Sequence, residues 1–210
     1  MVRFILQETV VYITYELVQT TSGSQLILMR FRDPTPGIWN LEVYFSNATS
    51  GTFHIWLPID GFLNTNVRFL NPDPYTTITQ PGNSIHVITP GTYNANNQSL
   101  YLYSSRGYTR TNQIKPDFAA PGVNVTGPNL RNQYTTRNGS SVSAALTAGS
   151  AALLLEWGIK LRPYQYFTTY EIKNYFIRGA KQAPGLTYPN REWGYGTLNL
   201  YNIFTSLSNS

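Results

Sequence analysis

The first seventy or so residues alternate between apolar and polar side chains with a period of two. This period is typical of strands in which one face packs against a core and the other faces water. Short stretches rich in Gly, Pro, Ser and Asn separate the alternating segments and predict turns. The pattern therefore predicts a series of short antiparallel strands, as in a β-sandwich or jelly roll. The alternating segments are 11–17, 39–45 and 53–57, and the predicted turns are 22–24, 33–37 and 47–51.

The alternation stops at Pro72 and Pro74, where two closely spaced prolines disfavour both a helix and a central strand. Two further strands are predicted after this junction, at the apolar segments 85–88 and 100–103. A proline-rich passage follows, and then the pattern becomes helical. The junction therefore separates an all-β region from a region of mixed strands and helices.

Three helices are predicted in the second region. Residues 142–157 are apolar nearly all round, so this helix should be buried, under a sheet. Thr168 and Glu171 have the spacing of a capping box and predict the start of a second helix, for which Gly179 is a natural stop. Residues 200–207 keep helical spacing in a short final helix. Strands mixed with a buried helix indicate an α/β architecture.

Composition and charge limit the class of protein and the kinds of molecule that it is expected to bind. The chain is 41% hydrophobic and only 12% charged, which is typical of a globular protein. Its net charge is +5, but the Lys and Arg residues are scattered, so we do not expect a nucleic-acid partner. No segment is expected to reach the roughly 18 apolar residues that a membrane span needs, so the chain is predicted to be soluble. The absence of cysteine excludes disulfides and thiolate chemistry and leaves the compartment open.

Ser141 is the candidate for chemistry that the pattern places best. It stands directly before the predicted apolar helix, where unpaired backbone N–H groups and the positive end of the helix dipole converge. A nucleophile there can use its own N–H to stabilise an oxyanion. The alternative for this residue taken alone is a serine that caps the helix, which is a common role for Ser at a helix start.

Three sequence blocks, in a fixed order along the chain, favour a nucleophile over a helix cap for Ser141. The segment 115–123, Lys-Pro-Asp-Phe-Ala-Ala-Pro-Gly-Val, resembles the KPD-x-x-APG block of subtilisin-like serine proteases (subtilases). The turn 104–107, Ser-Ser-Arg-Gly, precedes it as in that family. Residues 139–149 resemble the G-T-S-x-A-A-P-H-x-A-G signature around the subtilase nucleophile. The resemblance implies that Ser141 occupies the nucleophile position of a serine endopeptidase.

Further segments resemble the clostridial Csp-type subtilases, the group of spore-germination proteases. That group carries a jelly-roll insertion between the catalytic histidine and the catalytic serine. The resemblance extends from about Val10 to about Phe204 and includes Ala145, which replaces the general subtilase proline. The additional segments are 32–39, 75–79, 87–94, 106–110, 151–158, 171–175 and 188–196.

The resemblance implies a division of the chain. Residues 1–74 would be the later strands of the jelly-roll insertion, and residues 75–210 the C-terminal part of the subtilase domain, mainly a parallel sheet with a buried helix. The triad Asp and His and the oxyanion Asn would precede the insertion, so Ser141 is the single catalytic residue expected here and the chain alone is expected to be inactive. The implied partners are a protein or peptide substrate and the missing N-terminal protease portion, in cis or trans. No cofactor is expected; subtilases can bind calcium, but no site is readable here.

Local substitutes for the missing triad residues are weak candidates. His86 lies within a predicted apolar strand and His54 within the predicted sandwich, and both are expected to be structural. Asp117 is expected to be a buried carboxylate that fixes its loop, and nothing marks Lys115 as a general base. No clustered His, Asp or Glu pattern predicts a catalytic metal.

Departures from the family pattern leave a second class of function open. Ser140 replaces a threonine, Ser143 an alanine and Leu146 a histidine that is not the triad base. Because the group includes pseudoproteases, a non-catalytic binding or regulatory protein is the main alternative. Carbohydrate binding through Trp39 or Trp56 is a third, although their alternation with apolar positions favours a place in the core. The sequence leaves the localisation open; the resemblance alone would imply a soluble protein that is spore-associated or secreted by a bacterium.

Overall fold

The computed structural model describes residues 1–6, 8–17, 25–44, 51–58, 61–64, 66–161 and 167–208. The chain divides into two compact units, Met1–Leu63 and Asn64–Ser210. The predicted turns at 22–24 and 47–50 and the end of the predicted strand 39–45 lie outside the described residues. Whether 1–74 is an insertion domain and 75–210 a catalytic domain stays a prediction.

The first unit contains a three-stranded antiparallel sheet. Its strands β1 (Val2–Leu6), β2 (Thr9–Leu17) and β3 (Gln25–Arg32) lie in the order β1-β2-β3. The predicted strand at 11–17 is confirmed as the central strand, with Val11 opposite Phe4 on one side and Phe31 on the other. A complete jelly roll is not seen in the described part of the chain, which shows these strands only as a partial all-β unit.

Two strands predicted in the first unit are wrong where the structure describes them. Residues 38–44 and 51–58 are irregular, and none of the strands in the described part of the chain pairs with them. Trp39 and Trp56, expected in a core, are 43% and 53% exposed. Trp39 instead makes an edge contact with Phe31, at 5.3 Å between ring centroids.

The second unit is built on a small mixed sheet, so the prediction of a mainly parallel sheet is not met in the described residues. Strand β4 (Pro90–Asn94) lies between β5 (Ser99–Leu100), to which it is antiparallel, and β6 (Phe118–Pro121), to which it is parallel. A separate hairpin of β7 (Val125–Asn129) and β8 (Gln133–Arg137) follows. Strand β5 is shorter than the predicted strand 100–103.

The predicted strand at 85–88 is wrong, because residues 81–87 form turns. Side-chain cations take the place of a strand partner there. The Nζ of Lys173 donates to the carbonyl of Ile85 at 2.8 Å, and the Nζ of Lys115 donates to that of Val87 at 2.7 Å. Hydrogen bonds from side chains satisfy these carbonyls without a sheet.

Helices α1 (Ser140–Leu161), α2 (Thr169–Gly179) and α3 (Leu200–Ser208) confirm the three predicted helices. The capping box is also confirmed: the N–H of Glu171 donates to the Thr168 hydroxyl, and the N–H of Thr168 donates to the Glu171 carboxylate at 2.7 Å. The hydrogen bonds from Thr168 lower the pKa of the Glu171 carboxyl. The helices pack over β6 around Phe118, Leu154, Ile172, Phe176 and Ile203.

Helix α1 is not buried on all sides, contrary to the prediction. One face is buried, at Ser143, Thr147, Ser150, Leu154 and Gly158, and the opposite face lies in solvent. By length and composition Ser140–Lys160 would suffice to cross a membrane, so the expectation that no segment reaches that threshold is also wrong. A core helix of a soluble protein meets the same criterion, so the length and composition of α1 alone carry no membrane assignment.

Candidate active site at Ser141

The loop before α1 is held by hydrogen bonds that place Ser141. The N–H of Gly139 donates to the carbonyl of Gly122 at 2.8 Å, which ties the end of the hairpin to the end of β6. The N–H of Asn124 donates to the side-chain oxygen of Asn138 at 2.5 Å. Gly139 has φ +140°, a value that residues with a Cβ rarely adopt. The chain therefore enters α1 in one defined direction.

Ser143 anchors the first turn of α1 to the sheet. Its side chain is fully buried, and its Oγ lies 3.1 Å from Thr92 Oγ1, 3.0 Å from the carbonyl of Ala120 and 3.1 Å from that of Pro121. A buried hydroxyl is tolerated when it finds such partners. The serine that departs from the family pattern thus links α1 to β4 and β6.

Ser141 is exposed, two residues before this anchor. Its hydroxyl makes no hydrogen bond within the described part of the chain. The helix begins at Ser140 and is preceded by Gly139, so Ser141 lies inside the first turn and does not cap it. Its N–H is one of the first four of the helix, which have no intrahelical acceptor, and the first turn carries no acidic residue.

A shallow, open cavity of about 280 Å³ lies beside Ser141, between α1 and the hairpin. Ser141, Val142 and Ala145 contribute its α1 side, and Val125 and Arg137 are among its hairpin residues. None of the residues that line it is a histidine or a carboxylate. Sequence reasoning missed this cavity and Arg137. A usable signal was present, because between Asp117 and Glu156 the sequence has Arg131 and Arg137 but no acidic residue.

Neither histidine lines this cavity. His86 is exposed in a turn, and its N–H donates to the Ser84 hydroxyl at 3.3 Å. The ring of His54 stacks on Trp56 at 5.3 Å. Within the described ranges, no group of three or more His, Cys, Asp or Glu residues could hold a metal ion. Ser141 is the candidate catalytic group that the structure places at the cavity.

Asp117 and Lys115 belong to a buried ionic cluster. The Nζ of Lys115 lies 2.9 Å from Asp117 Oδ2, and the Nζ of Lys173 on α2 lies 3.3 Å from Asp117 Oδ1. The N–H of Thr89 donates to the same carboxylate at 2.7 Å. Burial lowers the pKa of Lys115, and the hydrogen bond and charge of Asp117 act in the opposite direction. The cluster joins the segment directly before β6, helix α2 and the residues before β4, which is a structural role.

Three of the segments that carry the family resemblance meet in space. The N–H of Thr77 donates to the carbonyl of Arg106 at 3.0 Å, and that of Gly107 donates to the carbonyl of Arg191 at 2.8 Å. The guanidinium of Arg191 lies over the rings of Tyr75 and Tyr108, at 5.1 and 5.4 Å from their centroids. These contacts bring together the segments 75–79, 106–110 and 188–196, which are far apart along the chain.

Residues 64–196 match the sequence profile of the Subtilase family. Among curated proteins, the serine protease AprX of Bacillus subtilis is 36% identical, with 41% of this chain and 24% of AprX covered. The C5a peptidase of Streptococcus pyogenes is 38% identical over 40% of this chain and 7% of that protein. Among solved structures, the CspB protease of Clostridium perfringens matches with a TM-score of 0.64 and 38% identity, covering 68% of this chain and 31% of CspB. The chain thus spans about a quarter of AprX and about a third of CspB.

Proposed function

This chain belongs to the subtilase family and is similar to CspB, and we propose that it is the C-terminal portion of a serine endopeptidase with Ser141 as its nucleophile. The observation that carries the proposal is the environment of Ser141. Its hydroxyl is exposed, without a hydrogen bond in the described structure, and at the edge of a cavity, while Gly139 and Ser143 hold the backbone on either side.

The chemistry follows from this position. The Ser141 Oγ attacks the carbonyl carbon of a peptide bond while a base accepts the hydroxyl proton. The negative charge that develops on the carbonyl oxygen is stabilised by the N–H of Ser141 at the start of α1. The proton then passes to the leaving amine, the C–N bond breaks and an acyl-enzyme remains. Water attacks this ester, and the Ser141 hydroxyl is regenerated.

The base and its aspartate come, in this proposal, from protease sequence outside the chain, which joins it in cis or in trans. The absence of histidine and carboxylate groups from the cavity lining supports this. So does the solvent-facing side of α1, where Leu146 and Leu153, seven residues apart and therefore on one face of the helix, are 39% and 51% exposed. Large apolar side chains on one face of a helix favour coverage by another layer of protein.

A fluorophosphonate probe, which reacts with activated serines, tests the proposal. The chain is treated alone and then together with the polypeptide encoded upstream of Met1. We expect labelling only in the mixture, because a serine hydroxyl without a base is a poor nucleophile. Ser141→Ala should abolish the labelling, and the matched control Ser140→Ala should retain it. Labelling that survives Ser141→Ala would contradict the assignment.

The coding DNA provides an independent check. The proposal requires an upstream frame that encodes Asp, His and oxyanion Asn blocks of a subtilase. If these blocks are present and the mixture folds but is not labelled, the pseudoprotease alternative is favoured, in which the exposed faces recruit a protein partner. Its support here is that the described residues place no base at Ser141. The spore-germination role implied by the resemblance stays a prediction.

A further inference from the structure

We propose that Arg137 makes the cavity beside Ser141 a binding site for an acidic side chain, so that the protein selects peptides with a glutamate next to the scissile bond. This inference rests on the proposed function of Ser141. It concerns the same cavity, because Arg137 and Ser141 both line it.

The charge of Arg137 has no counter-charge nearby. It is the single charged residue of the cavity lining, and in the described structure it forms no ion pair with an Asp or Glu. The whole segment between Asp117 and Glu156, which contains β6, the hairpin and most of α1, has no acidic residue. Arg131, at the tip of the hairpin, adds positive charge. An anionic ligand group would therefore meet an attractive field without repulsion from neighbouring carboxylates.

The rest of the lining fits the stem of such a side chain. Val125, Pro128, Val142 and Ala145 provide apolar contacts for methylene groups. Thr135 and Asn129 add polar groups on the hairpin side. A guanidinium binds a carboxylate through two parallel hydrogen bonds, which gives a geometric preference over the neutral amide of glutamine. Glutamate combines a short aliphatic stem with this terminal group.

The position of Arg137 is set by the fold. It is the last residue of β8, paired with Val125 of β7, and Gly139 and the first turn of α1 follow directly. The same loop that directs Ser141 into α1 therefore directs Arg137 to the cavity. A side chain held by Arg137 would bring its own backbone beside the Ser141 hydroxyl, which places the acidic residue adjacent to the reacting carbonyl.

Peptide binding to the chain itself tests the inference without requiring cleavage. The ¹⁵N-labelled chain is titrated with acetyl-Ala-Ala-Glu-Ala-Ala-amide and with its glutamine twin, and the NMR signals of residues 125–145 are followed. We expect the glutamate peptide to bind about three- to fivefold more tightly, the effect of one exposed ion pair. At 1 M NaCl, where the Debye length is about 3 Å, the preference should disappear.

Variants assign the effect to one residue. Arg137→Gln should make the two peptides equivalent, and Arg131→Gln, which removes a charge from the same hairpin outside the cavity, should keep most of the preference. Equal binding of the peptides to the unaltered chain, no binding of either, or a preference that survives Arg137→Gln overturns the inference. The salt dependence of the unaltered chain tests it even if a variant does not fold.

The failure of this inference is distinguishable from that of the proposed function. Fluorophosphonate labelling reports on Ser141, and the peptide titration reports on Arg137. Labelling without a glutamate preference refutes the specificity alone. A glutamate preference without labelling of the mixture refutes the peptidase assignment and leaves an acidic-peptide binding site. In the labelled mixture, moving the glutamate stepwise along a cleavable peptide then identifies the side of the scissile bond on which it binds.

Discussion

In residues 64–210, three helices close their apolar side chains over β6, and Phe118, Leu154, Phe176 and Ile203 are fully buried. In residues 1–63, the described sheet leaves most of its apolar side chains in solvent on both faces, and Val11 is the buried hydrophobic residue. The two regions differ in the number of layers that their described residues form. A sheet is stabilised by its apolar face only when a second layer covers it, and a helix on the sheet provides that layer in the second unit. In the first unit the strands pair through backbone hydrogen bonds, but their apolar side chains stay exposed.

The largest expected effect is a loss of stability from a substitution in the core of the second unit. Phe176→Ala removes a fully buried ring that contacts Phe118 edge-on at 5.4 Å, and it should lower the free energy of unfolding by about 3–5 kcal/mol. The matched change Phe4→Ala, at a ring 48% exposed in β1, should cost less than about 1 kcal/mol. Urea titrations followed by far-UV circular dichroism measure both. Equal losses would show that the first unit has a core of its own.

A smaller loss of stability is expected from a substitution at Gly122, next to the candidate site. A Cβ on Gly122 would lie 2.3 Å from Ser143 Oγ and 2.6 Å from Thr92 Cγ2, so Gly122→Ala must displace the anchor of α1. We expect a loss of about 1–3 kcal/mol in the free energy of unfolding. In the reconstituted mixture, fluorophosphonate labelling should also fall.

The control for this change is Gly127→Ala in β7, where a Cβ meets nothing within 4 Å. It should leave both stability and labelling nearly unchanged. If Gly122→Ala labels normally, the contact between Ser143 and the sheet does not position Ser141.

The smallest effect is a pH dependence of the ionic cluster. Burial lowers the pKa of Lys115 below its usual 10.5. Over the pH range between the folded-state pKa and 10.5, Lys115 therefore stays protonated in the unfolded chain and loses its proton in the folded chain. Linkage then requires the free energy of unfolding to rise with pH through that interval, from the folded-state pKa up to about 10.5. Lys115→Met should remove this rise. The exposed control Lys160→Met should keep it.

Urea midpoints between pH 7 and pH 10.5 measure this difference. At neutral pH, Lys115→Met should also lower the free energy of unfolding, because Asp117 keeps only Lys173 as a cationic partner and Val87 and Thr89 lose a buried hydrogen-bond donor. A pH profile of Lys115→Met that parallels the unaltered chain would show that another group is responsible for the dependence.

Local signals predicted the helices well. The capping box of Thr168 and Glu171 depends on residues three apart, and the apolar run after Ser141 is long enough to predict α1 without its partners. Predictions of strands, which depend on residues distant along the chain, were less successful. The segment 85–88 has a strand-like pattern, but Lys115 and Lys173 bind its carbonyls, and no local rule shows which distant side chains will do so.

In the candidate site, too, one residue could be predicted from the sequence and another could not. Ser141 could be selected from the sequence because the blocks around it are contiguous and ordered, and its assignment as nucleophile stays a proposal. Arg137 could not, because its significance depends on β7 and β8 folding back beside the start of α1. The exposed face of α1 was also missed, since an apolar helix predicts burial but not whether the covering residues are within the same chain.

The sequence by itself therefore determined membership of the subtilase family, the helices and the position of Ser141, since each depends on residues close together along the chain. Only the tertiary structure decided that Arg137 shares a cavity with Ser141, that Ser143 links α1 to the sheet, and that one face of α1 is uncovered. These features depend on contacts between segments far apart in sequence. Such contacts are selected by the packing of the whole unit, which no local pattern encodes.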